Sequence, residues 1–257
     1  MRSSLLGIVF AMSCAASPPY QAPNDGEKLY RKMEAALAAA KKLHVDFTST
    51  TEGSTIQGSF RVDEGNKLKM EIEGAAGAKT YKITLSCDGA QMSLTRSESP
   101  PPPVPLGPQP ALPAPKTLTA NVAAALARGG AWLAQEFADG EYRAVADPYF
   151  EERQKAKEQE NRPMNKLPAV APRDVTALHT MENFRPGKSE GGASAVTYDL
   201  VRKGGKPILI NTMTVWIDSK TGLPVKRESL IFAATDEGKV AGAPVSKQTE
   251  TYKITSE

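Results

Sequence analysis

Histidine, cysteine and aromatic residues are scarce in this 257-residue chain, and each scarcity removes a class of function. The two histidines, His44 and His179, stand alone in the sequence, outside any HExxH or comparable ligand spacing, so neither a metal centre nor a cofactor is expected. No GxSxG elbow, P-loop or GxGxxG occurs, which leaves no catalytic residue to assign and predicts a non-enzyme. A hydrolase built on paired carboxylates stays open, because a pair facing across a cleft is invisible in one dimension. The two cysteines, Cys14 and Cys87, allow no disulfide framework, and Cys87 falls in a strand pattern where a small buried apolar residue fits. Basic and acidic residues nearly balance, at 32 and 29, with no dense basic block, so nucleic acid is not an expected partner. No apolar run approaches the roughly 20 residues that span a bilayer. Aromatics make up only 6% of a chain that is 40% hydrophobic, which predicts an aliphatic interior.

What is present begins with an export signal. Arg2 precedes an apolar run over 5–12, and Ser13, Cys14, Ala15 and Ala16 follow as small residues, the arrangement of a secretory signal peptide over 1–13. Ala11-Met12-Ser13-Cys14 resembles a lipobox, in which the thiol receives a diacylglycerol and becomes the mature terminus. Ordinary cleavage after Ala15 or Ala16 is the alternative, and it discards Cys14. A Pro-rich tether over 14–25, with Pro18, Pro19 and Pro23, favours the anchored reading, since such a segment stands a domain off a membrane surface. The expected location is the periplasm or cell envelope, with attachment to a membrane through Cys14.

Residues 26–257 read as a single domain. Asn24 and Glu27 form a capping-box arrangement, and Leu29, Met33, Ala36, Leu37, Ala40 and Leu43 recur at helical spacing; His44 is expected at the end of this helix. From Val45 the period becomes two. Phe47, Phe60, Leu68, Met70, Ile83, Leu85 and Met92 belong to alternating runs separated by Gly-containing turns, which predicts five consecutive antiparallel strands with one apolar face. Nine prolines within 100–115 predict an extended loop. A helical insert is expected over 119–161: Leu126, Trp132 and Leu133 mark its buried side, Gly129-Gly130 breaks it, and the charged run 151–160 forms a solvated face. Strands are then expected over 175–179, 195–201, 208–217, 225–232 and 248–254. About ten strands with two helical inserts imply a mainly β, α+β fold with one strongly curved antiparallel sheet.

Three stretches carry a family resemblance. GSFRVDEGNKLKM from Gly58 to Met70, CDGAQMSL from Cys87 to Leu94 and VWIDSKTGLPV from Val215 to Val225 are similar to hairpins of the LolA/LolB-like periplasmic lipoprotein carriers. The resemblance implies an incomplete β-barrel with helices as a lid, and an apolar cavity between them that receives acyl chains of a lipid or lipoprotein. Phe47, Phe60, Leu68, Met70, Ile83 and Leu85 from the sheet and Leu126, Trp132 and Leu133 from the lid are the residues expected to line it. Glu64 stands where the carrier has an arginine that helps hold its lid shut. A non-transporting envelope lipoprotein, using the same scaffold to bind a protein partner or sense the envelope, is the alternative.

Overall fold

The computed structural model describes residues 24–100, 111–146, 174–203, 209–235 and 240–257. The expected signal peptide, Cys14, most of the tether, the Pro-rich stretch 101–110 and the charged run 151–160 lie outside them.

Helix α1 spans Asp25–Ala39, and Asn24 caps it through a 2.9 Å bond from the Glu27 amide. Its buried face is Gly26, Tyr30, Met33 and Leu37, so the largest side chain it contributes to the core, Tyr30, is absent from the stripe read in the sequence. The helix also ends sooner than that stripe: Leu43 and His44 belong to the first strand, and His44 is a half-buried residue bonded to Asp46 at 3.1 Å. The residues after Ala40 alternate in polarity with period two, and pairing on both sides outweighs a helical continuation.

Eleven antiparallel strands form one curved open sheet. A meander runs through β1 (Leu43–Thr51), β2 (Ser54–Asp63), β3 (Lys67–Ala76), β4 (Lys79–Asp88) and β5 (Gln91–Ser99). The short β6 (Leu112–Pro113) pairs with Gln91 and Met92, so part of the proline-rich segment joins the sheet edge. The carboxy-terminal half contributes β7 (His179–Pro186), β8 (Ala193–Arg202), β9 (Leu209–Asp218), β10 (Pro224–Ala234) and β11 (Val240–Ser256). The order β6-β5-β4-β3-β2-β1-β11-β10-β9-β8-β7 places the last strand beside the first and joins the two halves into one surface. Residues 175–178, expected as strand, form instead one helical turn, α4 (Val175–Leu178), started by Asp174 accepting from the Thr176 amide; the strand begins at His179.

Two helices cover one face: α2 (Leu118–Arg128) and α3 (Ala131–Ala146), broken at Gly129-Gly130 as the sequence predicts. The covered face is aliphatic. Across it run rows such as Tyr252, Phe47, Gly58, Ile72 and Ile83, each opposite the next in neighbouring strands. Gly58 is needed in that row, because a Cβ there would stand 2.7 Å from the Phe47 ring, which crosses β2 to stack on Phe60 at 5.6 Å. Alanines 123, 125, 127, 131, 134 and 138 are all buried, and the two helices pack closely against each other. The fold is therefore an incomplete barrel with a helical lid. Among the described residues no helix is long and apolar enough to cross a membrane.

Candidate functional site

The space between the sheet and the lid is where the expected lining residues meet. Phe47, Phe60, Leu68, Met70, Ile83 and Leu85 lie on the covered sheet face and are buried; Leu126 on α2 and Leu133 on α3 are buried opposite them. Trp132, at the start of α3, is half-buried against the same cluster. These nine residues form one continuous apolar core with the lid down.

The lid is fastened partly by its own side chains, Arg128 to Glu34 and His179 O and Asp139 to Arg96, and partly by polar groups from elsewhere in the chain. Thr117, at the start of α2, makes no side-chain cap. The task falls to Asn66 in the β2–β3 turn, whose Oδ1 accepts from Thr119 N and Thr119 Oγ1 at 3.2 Å while its Nδ2 donates to Pro115 O at 2.8 Å. Cys87, buried as expected, donates its Sγ–H to Asn66 O at 3.1 Å and so braces that turn. The other end of α2 exposes carbonyls that need donors. Arg227 on β10, 1% exposed, donates to Leu126 O at 2.9 Å and to Ala127 O at 2.8 Å. Tyr30 Oη donates to Ala127 O at 2.9 Å, and Tyr198 Oη to Arg128 O at 2.6 Å. A cation at a helix carboxy terminus also opposes the negative end of the helix dipole.

Glu250 on β11, directly opposite Arg227 in the ladder, does the reverse for α3. Its carboxylate accepts from Ala131 N at 3.1 Å and Trp132 N at 3.2 Å, the first free amides of that helix, and from Gln248 and Tyr252. The break between the helices threads these two charges. Gly130 has φ +91°, and an added Cβ would overlap the Glu250 carboxylate outright and stand 2.5 Å from Tyr252 Oη and 2.9 Å from the Arg227 guanidinium. One buried ion-bearing cluster therefore grips both helices at their junction.

Burial shapes the titration of this cluster. It pushes Glu250 above the ordinary carboxylate value, against the pull of Tyr252, Arg227 and the helix amides. Burial alone would lower Arg227, but Tyr198, Tyr252, Tyr30 and Glu250 offset it and leave the guanidinium charged. Beside the cluster, burial together with Arg202 and Arg128 holds His179 down at about 4, so its ring is neutral near pH 7.

Apolar periodicity does not pick out Arg227 or Glu250. A signal was there: Arg227 shares strand parity with Ile231, and Glu250 with Tyr252 and Ile254. A charge at a core-facing parity requires a buried partner. Glu64, at the position of the carrier's arginine, is an exposed turn residue paired with Lys41 at 3.5 Å and touches no lid fastening.

Beside the Arg227–Glu250 cluster, Gly129, Trp132, Met213, Arg227, Ser229, Gln248 and Glu250 enclose a crevice too small to admit a water molecule. An open groove of about 580 Å³ lies on the uncovered sheet face, among Asp46, Thr48, Gln57, Ser59, Glu71, Glu73, Lys82, Thr251 and Lys253, with Phe47, Gly58 and Tyr252 also in its wall.

No protein-family model matches the chain, and no curated protein is similar to it in sequence. Among solved structures it is similar to MucB in complex with MucA(peri), with a TM-score of 0.33 and 11% identity over 91% of this chain and 56% of that one. A structure of the Pseudomonas aeruginosa MucA/MucB complex gives a TM-score of 0.32 and 12% identity, covering 90% of this chain and 57% of that one. A DUF1329 family protein from Desulfovibrio piger gives a TM-score of 0.30 and 9% identity, with 90% and 92% covered. The chain spans little more than half the length of the MucB chains. Likenesses of this size assign no role to any residue.

Proposed function

We propose that this is a cell-envelope protein that holds the acyl chains of a lipid or lipoprotein between its curved sheet and the α2–α3 lid, tethered through Cys14. The observation that supports this reading is the way the lid is attached. An aliphatic sheet face is covered by alanine-rich helices whose ends are held by polar side chains, among them Asn66, Tyr30, Tyr198, Arg227 and Glu250, with no covalent link. Releasing those fastenings exposes Phe47, Phe60, Leu68, Met70, Ile83 and Leu85 on one side and Leu126, Trp132 and Leu133 on the other. An acyl chain entering there replaces the contacts that are lost, at about 0.8 kcal/mol for each buried methylene, or roughly 10 kcal/mol for a dozen.

Native mass spectrometry after gentle extraction tests the reading. A co-purifying lipid, or binding of an acylated probe, is the expected result; neither appearing overturns it. Palmitate labelling of the wild type against Cys14→Ala tests the tether, and equal labelling of both refutes it. A second reading, an envelope lipoprotein that binds a protein partner, is favoured by one observation: a wide groove lined largely by polar side chains lies on the uncovered sheet face. It becomes the better account if no acyl ligand binds.

A further inference from the structure

Arg96 on β5 is a cation at a core-facing position. It shares strand parity with Met92 and Leu94, both buried on the covered sheet face, and its side chain is 30% exposed. It lies beyond Gln91 and Met92, the two β5 residues that β6 pairs. Among the described residues its ion pair is with Asp139 on α3, through one contact from Nη2 to Oδ2 at 3.4 Å. The Nε–H of Arg96 and the Oδ1 of Asp139 are both buried without a partner. A guanidinium and a carboxylate can make two parallel bonds; this pair makes one, longer than the usual range. Asp139 Oδ2 has a second donor in Arg143, one turn along the same helix.

The two sides of this contact fare differently when α3 lifts. Asp139 travels with Arg143 and keeps a partner. Arg96 stays on the sheet, at the rim of the uncovered apolar face, with Nε–H and Nη2–H on one edge of its planar fork. A charge left there unpaired is costly, so an anion arriving with the ligand is rewarded. A phosphate fits that fork bidentately. Glu98, the next residue of the same parity, is exposed, so its repulsion of an anion is screened by solvent and salt.

We infer that Arg96 is the headgroup site for a net-anionic, phosphate-bearing acyl lipid. Asp139 occupies it while α3 is down, and the lipid phosphate replaces Asp139 when α3 lifts and the tail enters along Ile83, Leu85 and Leu94, the apolar residues beside Arg96 on β4 and β5. The inference rests on the acyl-binding reading and adds to it a headgroup class and the exchange of one anion for another.

The test compares oleoyl lysophosphatidylglycerol, which is net anionic, with oleoyl lysophosphatidylcholine, whose choline cancels the phosphate charge. Both are kept below their micelle-forming concentrations and titrated onto the full chain. The wild type is expected to bind the anionic lipid roughly tenfold more tightly, the worth of about one charge-assisted hydrogen bond. Arg96→Gln is expected to erase that preference while the zwitterionic lipid still binds. Arg143→Gln, which removes the guanidinium that leaves with α3, is expected to keep it. Glycerol phosphate, with no tail to lift α3, is expected not to bind. Equal binding of the two lipids by the wild type, a preference that survives Arg96→Gln or vanishes in Arg143→Gln, or binding of glycerol phosphate each overturns the headgroup site and leaves the acyl-binding reading standing. Binding of neither lipid overturns both.

Discussion

Replacing Arg227 by Met tests the central claim, that one buried charge pair grips the lid. Methionine fills much of the same space with a flexible apolar chain, so the change removes charge and donors with little cavity. Two hydrogen bonds from a guanidinium that is 1% exposed disappear, leaving Leu126 O and Ala127 O without them, and Glu250 loses its opposing charge. Breaking a buried pair by deleting one partner costs about 3–5 kcal/mol, and we expect a loss in that range by urea unfolding near pH 7. Glu250→Gln alone keeps one oxygen, enough for Ala131 N or Trp132 N but not both, since the two amides bond different carboxylate oxygens, and should cost about 1–3 kcal/mol. In the double variant no charge is stranded, so its loss should fall short of the sum by at least about 1 kcal/mol. The deficit should also depend on pH. A carboxyl whose folded value lies above its unfolded one adds stability below the unfolded value, and that stability is lost as pH rises through the folded value. Glu250 is already raised by burial, and without Arg227 it rises further. The Arg227→Met deficit should therefore be smaller at about pH 5 than at about pH 8. A loss under about 1 kcal/mol, strict additivity, or no pH dependence would refute the reasoning.

Two further perturbations probe the surroundings of this cluster. Gly130→Ala combines a left-handed backbone with overlap on Glu250 and should cost about 2–5 kcal/mol by thermal or urea unfolding; Gly65→Ala, also at positive φ but with no atom within 4 Å, should cost only about 1–2 kcal/mol. For His179, held at about 4 against an ordinary 6.5, the unfolded chain takes up a proton first as pH falls, so stability drops across that window; His179→Phe should flatten the stability-against-pH curve there, and an unchanged slope would assign it to other groups.

Much of this architecture is legible in one dimension because it depends on neighbours in the chain. The period-two alternation from Val45 to Leu94 sets the face of every strand in the meander, since a one-residue slip would turn all its apolar side chains outward. Asp218 marks its hairpin for a local reason: Oδ1 accepts from the amides of Lys220 and Thr221. Gly129-Gly130 ends one helix and permits the next. Misreadings fell where a local pattern was ambiguous, at Leu43 and His44 after α1 and at Val175 to Leu178, where a few residues fit either state and pairing or capping decides.

The lid fastenings belong to the tertiary structure alone. Asn66 caps a helix that begins more than fifty positions later. Arg227 and Glu250 become opposite neighbours only when β10 pairs with β11, and they reach the helix junction only because β11 also pairs with β1 and curves the sheet beneath it. The sequence by itself determined which residues are apolar, which strands form and where the lid breaks. What grips the lid, and where unpaired donors are left inside it, was decided by the fold, because a buried charge is set by partners that only long-range packing brings within hydrogen-bonding distance.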